Sequence, residues 1–594
     1  MKRYIKIKYE HMKMTMCFLI LLAGTMLNGC FDLDTFPGDG LPESHFWQTE
    51  QQAKEGMMGV YAMLRNTNIY GRHYMFDHCG EIAIGYNQMT GMPSGSYNPG
   101  GGEIINKWQA LYEGVQSANH VIRQVSAMTA AGDNTKAEII AEAKFMRALY
   151  YFNLLDLYGG VPYYDETTNV AVEVLDMKKP RETADNIRSY IISDLSEAIS
   201  KLPVAWEEAD YGRATKGAAF ALRGKVYLYN KQWKEAIADF EEVVYNRSNN
   251  YGYALEADYS LLFKLFDGKT KSAEMIFALQ NKGGIGNSLG IPIQLYMGSR
   301  NSWGWCWNNT MPSSILVDMY EYPDGKPFDW EEIVPGWNTT PDEEERSLLR
   351  QHFLSVEMDA GVIVGLRDAD TAKILDVYRN RDPRLMMTVI VPYSIHQGWY
   401  GGAPADHIFA LDGKKQGAES AGTMNHNNMW HTYYYRKFIE PYDLGGNITD
   451  NMNSPVTYPV IRLADVLLML AEAYNEEGQL DKAVTELNKV RARPSVHMPG
   501  LNSGPEWLSV TNKQEMFQRI RKERAVELAG EGHNYSDLRR WGWDVASPAL
   551  TDKSRQNIYG EHLYWQRFME RDFLWPIPTP EMDVNPNLQQ NPGW

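Results

Sequence analysis

The stretch from Tyr458 to Val490 constrains this chain more than any other. Leu463, Val466, Leu467, Leu470, Ala471 and Tyr474 recur at the three-and-four spacing of one helix face; Gly478 breaks the run; Leu480, Ala483, Val484, Leu487 and Val490 resume it. The pattern predicts a helix, a tight turn and a second helix. Small residues at Ala471 and Ala483, set among Leu467, Leu470, Tyr474 and Leu487, fit the tetratricopeptide register, in which small side chains let paired helices approach closely. The same register is present upstream: Phe220, Gly224, Tyr227, Ala236 and Phe240 repeat the spacing of Leu467, Ala471, Tyr474, Ala483 and Leu487 around a turn at Asn230 to Trp233. An interrupted third copy is expected from Ala148 and Tyr151 together with Leu195, Ala198 and Pro203, with a long insertion between them. One helix pair cannot bury its apolar stripe alone, so the copies should stack.

The first residues are of another kind. Lys2, Arg3, Lys6, Lys8 and Lys13 precede an apolar run from Met16 to Leu27, too short for a comfortable membrane span, that ends Leu27-Asn28-Gly29-Cys30. This resembles a bacterial lipoprotein signal: residues 1–29 as the leader, cleavage before Cys30, and acylation of Cys30. Several acyl chains at about 0.8 kcal/mol per buried methylene make a stable anchor. Residues 30–48, with Asp32, Asp34, Pro37, Gly38, Asp39 and Gly40, read as a polar tether, and acidic residues directly after the acylated cysteine resemble the surface-export signal of Bacteroidetes lipoproteins. Cys79 and Cys306 remain beyond it, to pair in an oxidising compartment or to stand free. The 58 Lys and Arg against 75 Asp and Glu give a net charge of -17, which argues against a nucleic-acid binder that tracks phosphates.

Thr49 to Gln52 reads as a capping box opening a helix that carries Ala53, Met57, Val60, Tyr61 and Leu64. From Tyr70 to Gly102 the periodicity dissolves into Gly, Pro, Ser, Asn and aromatic residues, and long ordered loops are usually functional. Helices are expected over Trp108 to Met128 and Ile139 to Tyr158. Residues 49–250 therefore form an N-terminal helical region. Residues 251–457, where helical periodicity is weak and aromatic clusters dominate, form a loop-rich ligand-binding lobe. Residues 458–594 return to helices.

Five motifs and the C-terminal segment are similar to a known family. They are the run from Glu142 to Pro162, Arg213 to Ala219, Tyr378 to Leu385, Arg462 to Leu468, Glu523 to Leu528, and Leu574-Trp575-Pro576-Ile577-Pro578 with its continuation Asn585 to Trp594. In that order, across Cys30 to Trp594, they resemble the SusD/RagB family of outer-membrane glycan-binding lipoproteins. The chain departs from the family pattern at Asn534 and Ser536, where a basic and an aromatic residue are usual. The resemblance implies a mainly α, tetratricopeptide-like scaffold with a large irregular lobe. It also implies a lipid-anchored place on the outer membrane facing the exterior, a SusC-like TonB-dependent transporter as partner, and glycan capture without bond-breaking. A peptide-binding RagB-like uptake protein and a lipoprotein glycosidase are the alternative readings.

For the ligand, Trp303, Trp305 and Trp307 alternate, so an extended segment would turn all three rings to one side, about 7 Å apart at a rise of roughly 3.3 Å per residue. Flat rings suit the apolar face of a pyranose. Tyr296, Arg300, Asn301, Asn308 and Asn309 supply aromatic, fork and amide partners nearby; the alternative is that Trp303, Trp305 and Trp307 form the core of the irregular lobe, although three on one face with Gly304 between them are hard to bury together. Tyr74, Tyr86 and Tyr97 are second candidates, because family members also draw a ligand residue from the loop after the first helices. No catalytic or cofactor motif emerges. Gly268-Lys269-Thr270 lacks the leading glycine of a phosphate loop, Gly283-Gly284-Ile285-Gly286 lacks the third glycine of a Gly-x-Gly-x-x-Gly fingerprint and any following strand-helix context, and His73 with His78 is a weak metal hint. The expectation is a binding protein without cofactor or metal.

Overall fold

The computed structural model describes residues 46–594 apart from 87–88, 174–175, 265–270, 284–288, 360–361, 367–369, 412–421 and 425–430. The expected leader, Cys30 and the tether up to residue 45 lie outside the described residues. The longer helices of the N-terminal region are α1 (Glu50–Ala62), α2 (Gly102–Ala127), α3 (Asp133–Tyr158), α4 (Ala184–Lys201), α5 (Lys216–Tyr229) and α6 (Trp233–Tyr245). After the short α7 (Ile293–Met297) of the lobe come α8 (Leu463–Glu476), α9 (Leu480–Arg491), α10 (Lys513–Glu527) and α11 (Asn534–Trp541). Successive helices from α1 to α6 pack side by side, α8 packs on α6, α9 on α8, and α10 on both. The two helix pairs read from the sequence, α5 with α6 and α8 with α9, are adjacent hairpins of one stack, and α3 packs against α4 across the insertion.

Small residues sit where helices cross most closely. A Cβ on Gly224 would come within 2.6 Å of the Phe240 ring, and one on Gly114 within 2.8 Å of the Tyr150 ring. Ala471 and Ala483 are fully buried. The hairpin turns need a left-handed residue: Gly478 has φ 72°, and in the upstream copy Lys231 takes the same place at φ 59°. Thr49, Thr183, Thr215 and Asn512 cap their helices by accepting a backbone N–H in the first turn. At the first of these the box is shifted, since the Gln52 carboxamide accepts the N–H of Gln48 (2.9 Å) in place of that of Thr49.

The region 251–457 is richer in structure than its weak periodicity suggests. It holds a second apolar cluster of Leu316, Tyr320, Ile374, Tyr378, Leu385 and Tyr433, completed by Ala525 and Val526 from helix α10 and Ala529 from the turn after it. Strand Met275–Leu279 pairs antiparallel with Tyr458–Arg462, and Ala83–Gly85 pairs with Thr310–Pro312, so the lobe is sewn to both flanking helical regions.

A buried ion-pair cluster fills the seam. Arg384 reaches Glu523 (2.7 Å) and Glu527 (2.8 Å); Arg462 reaches Glu274, Glu527 and Glu531, each at 2.8 Å; Arg493 reaches Glu274 (2.6 Å) and Glu527 (2.8 Å); Lys437 reaches Glu531 (2.7 Å). Arg384, Arg462, Glu523 and Glu527 belong to the motifs quoted above, so these motifs hold lobe to helices and take no part in a surface site. Burial alone would raise the Glu527 carboxyl, but Arg493, Arg462 and Arg384 hold it well below the usual carboxylate range.

Candidate functional site

Short helix α7 ends at Gly298, and the segment after it folds back to satisfy that helix's last carbonyls. Trp307 N–H donates to Leu295 O (2.7 Å), Asn309 N–H to Tyr296 O (2.7 Å) and Asn308 N–H to Gly298 O (3.0 Å). Between those ends the chain turns tightly, with Trp305 N–H on Ser302 O (3.2 Å) and left-handed backbone at Gly304 (φ 85°) and Trp305 (φ 55°). The extended geometry expected for Trp303 to Trp307 is therefore corrected: the demand of the helix end and the Gly304 turn override the alternation, and the three rings do not share a strand face. Trp305 and Trp307 are nonetheless 57% and 47% exposed, high for rings of this size, while Trp303 is half-buried.

The guanidinium of Arg300 lies 4.0 Å from the centre of the Trp305 ring. Trp307 stands edge-on to Tyr296 (5.8 Å, 79°), and Arg72 reaches over Tyr296 at 6.0 Å. Tyr86 joins this group through its N–H, which donates to Asn309 O (2.9 Å). Asn301 is buried with its amide against His407 Nδ1 (3.2 Å), and Asn308 and Asn309 are buried too, so these three build the loop and their side chains do not face solvent. Tyr74 is fully buried, edge-on to Tyr458 at 6.3 Å, and burial pushes its hydroxyl well up; it supports the surface from below. Tyr97 belongs elsewhere: its hydroxyl donates to Asp572 (2.8 Å) and its ring meets Trp594 (4.7 Å).

Residues that periodicity did not single out hold the loop. A hairpin of Ile395–Tyr400 and Ala403–Phe409, turned at Gly401 (φ 60°) and Gly402 (φ 87°), places His396 and His407 directly opposite each other. His396 Nε2 meets Ser302 Oγ (3.1 Å), and Trp399 N–H donates to Asn301 O (2.8 Å). The Gly-Gly pair between Trp399-Tyr400 and Ala403-Pro404 is the local signal that would have found this hairpin. From the other side, Asn451 Nδ2 donates to Gly304 O (2.6 Å). Burial together with Arg436, Lys264 and His407 holds the His396 imidazole well below its ordinary value, so it stays neutral.

Cys79 and Cys306 are buried and free. The His73 ring packs on Tyr70 (4.8 Å) and Phe76 (5.1 Å), and among the described residues no group of three His, Cys, Asp or Glu side chains is placed to hold a metal ion. Among the described residues no helix is long and apolar enough to cross a membrane. A cavity of about 520 Å³ opens between α2 and the C-terminal segment, lined by Trp108, Tyr112, Tyr164, Glu113 and Glu581, and none of the aromatic residues of the loop reaches it.

Known proteins share this architecture. A sequence model described as the SusD family matches residues 273–594, and one described as starch-binding associating with outer membrane matches residues 33–228. A SusD-like protein of Formosa agariphila is 24% identical over 96% of this chain and 98% of its own length. The starch-binding protein SusD of Bacteroides thetaiotaomicron is 24% identical over 76% of this chain and 72% of its own length. Among solved structures, a SusD-like protein of Bacteroides fragilis superposes with a TM-score of 0.71 at 20% identity, covering 93% of this chain and 99% of that one. A laminarin-binding SusD-like protein superposes with a TM-score of 0.64 at 22% identity, covering 92% and 100%. With more than half its length matched by one family's sequence pattern, and the helical stack that its repeats foretold in place, the chain belongs to the SusD family.

Proposed function

We propose that this protein is a cell-surface glycan receptor that binds oligosaccharide or polysaccharide on the Trp305–Trp307 surface and delivers it to a TonB-dependent outer-membrane transporter. The observation that carries the reading is the pair of exposed indoles on a loop fixed by hydrogen bonds at both ends. Two large apolar rings held in water cost solvation and, at Trp305, backbone strain; such a cost persists where the rings meet a ligand. An open surface suits a polymer that extends past the site on both sides, which the 520 Å³ cavity does not. Trp305 and Trp307 offer stacking faces, Tyr296 sets the Trp307 ring, Arg300 lies over Trp305, and Arg72 lies over Tyr296. Starch and laminarin binding by the relatives named above supports sugar over peptide as the ligand. Acylation at Cys30 supplies the anchor, and no bond in the ligand is made or broken.

Affinity electrophoresis over a glycan panel tests this. Trp305→Ala and Trp307→Ala are each expected to weaken binding about fivefold, or roughly 1 kcal/mol, and the double variant more. Retention unchanged in the double variant refutes the assignment, and protection from thermal unfolding by peptides instead of glycans would favour peptide uptake.

A further inference from the structure

We propose that Lys107 is a carbonyl-capturing residue: its ε-amine, in the wall of a cavity beside Arg72, condenses reversibly with the open-chain aldehyde of a short hydroxyaldehyde. The cavity measures about 260 Å³, enough for a chain of a few carbons, and Thr67, Asn68, Arg72, Phe76, Asn106 and Trp575 line it with Lys107. Helix α2 carries Lys107 inward until only 4% of it is exposed. There Nζ donates to Ile69 O (3.1 Å) and lies 5.0 Å from the centre of the Phe76 ring, which stacks on Trp575 (5.6 Å, 18°). Among the described residues no carboxylate stands within ion-pair distance of Nζ. Asp156 on α3 is the acid whose charge it feels, and Asp156 is committed to Arg539 and Ser536, each at 2.7 Å. Arg72 and His73 add no negative charge, and Glu103, one turn earlier on α2, is exposed at the rim.

A lysine so placed is a nucleophile at neutral pH. Burial pulls its pKa down to about 7, opposed by Asp156. Near pH 7 about half the amine is neutral, against about one part in a few thousand for an exposed lysine of pKa about 10.4. In the step, the nitrogen lone pair attacks the aldehyde carbon, the C–N bond forms and the carbonyl π pair moves to oxygen. A proton passes from nitrogen to that oxygen, giving a carbinolamine. Loss of the hydroxyl as water, with a second proton from nitrogen, leaves the C=N imine, so amine and aldehyde become imine and water. The amides of Asn68 and Asn106 and the Arg72 guanidinium are donors for the ligand's hydroxyls and the leaving oxygen, and the Phe76–Trp575 stack is the apolar wall.

The test incubates the full chain with glycolaldehyde and cyanoborohydride, which reduces the imine to a stable N-hydroxyethyl lysine, followed by proteolysis and mass spectrometry. Expected is labelling of Lys107 at least tenfold faster at pH 7 than of exposed Lys201 and Lys234, with a pH profile that levels off above about 7 while theirs keep climbing. Labelling of Lys107 less than tenfold ahead of these two, or a profile that climbs with theirs, overturns the proposal. The profile needs only the wild-type chain, and Lys107→Met, which keeps the apolar volume, is expected to lose the mark at that position alone. Trp305→Ala is expected to label at the wild-type rate, so a failure of glycan docking and a failure of carbonyl capture read out separately.

Discussion

Trp305 keeps a large ring in water on a backbone angle that side chains rarely adopt, and Arg300 stacked at 4.0 Å restrains it there. A ring already oriented loses little rotamer entropy on binding, which is how weak stacking contacts add up to a usable affinity. Lys107 presents the opposite economy, a charge drawn into apolar surroundings. Its folded pKa of about 7 lies below the ordinary lysine value, so between roughly pH 7 and pH 10 the unfolded chain binds the extra proton and stability rises with pH. Lys107→Met lacks that slope: in urea titrations the wild type is expected to gain on the variant as pH rises from 7 to 10, and to be at its greatest disadvantage below 7. Equal slopes would show that the amine is no harder to charge in the fold than in solution. Nothing in the sequence separates Lys107 from any other lysine on an amphipathic helix, because burial without a counter-ion is a property of the neighbours, Ile69, Phe76 and Asp156, that the fold brings in. Trp305 and Trp307 were legible as candidates because rings at such density next to glycine are hard to bury together; their orientation was not, because Gly304 and the carbonyls of α7 decide it.

The helix hairpins were the most legible elements. Gly224 and Ala471 announce themselves as small residues among large ones, and the Phe240 ring 2.6 Å from a would-be Cβ shows why nothing bigger fits. The two turns, alike in register, differ in one respect that makes a prediction. Lys231 is exposed and sits at φ 59° where the downstream copy has Gly478 at φ 72°. A non-glycine residue there costs on the order of 1–2 kcal/mol, part of which glycine returns as unfolded-chain entropy. Lys231→Gly is thus expected to raise stability by about 0.5–1 kcal/mol, seen as a higher urea midpoint at unchanged slope. A lower midpoint would mean that the lysine side chain contributes more than its backbone costs. The Trp-bearing hairpin turned by Gly401 and Gly402 was legible only as an aromatic cluster, since its inward face is held by His396 and His407, and a buried polar pair leaves no apolar alternation to find.

Across the whole molecule the decisive feature is the ion-pair seam. Glu527 alone takes Arg384, Arg462 and Arg493, and removing one partner from such a buried cluster strands the others. Glu527→Gln is expected to cost about 3–5 kcal/mol, read as a fall in the thermal midpoint with the helical signal otherwise intact. The pH dependence has the same sign as that of Lys107 but falls in the acid range. Glu527 and Asp465 both titrate well below the ordinary carboxylate range when folded, so their contribution is complete above about pH 5 and is lost as pH falls through the acid range. Acid unfolding of the wild type with a steep loss below about pH 4, blunted in Glu527→Gln, is the expected pattern; equal acid sensitivity in both would place the acid-labile charge elsewhere.

The pairing of strand Met275–Leu279 with strand Tyr458–Arg462 has a practical corollary for anyone wishing to work with residues 251–457 alone. Cutting the chain on either side of that stretch would remove half of a sheet and separate Glu274, Arg384 and Lys437 from the charges that neutralise them. The lobe cannot be trimmed to a portable module; it keeps its fold only while the entire helical bracket stays attached.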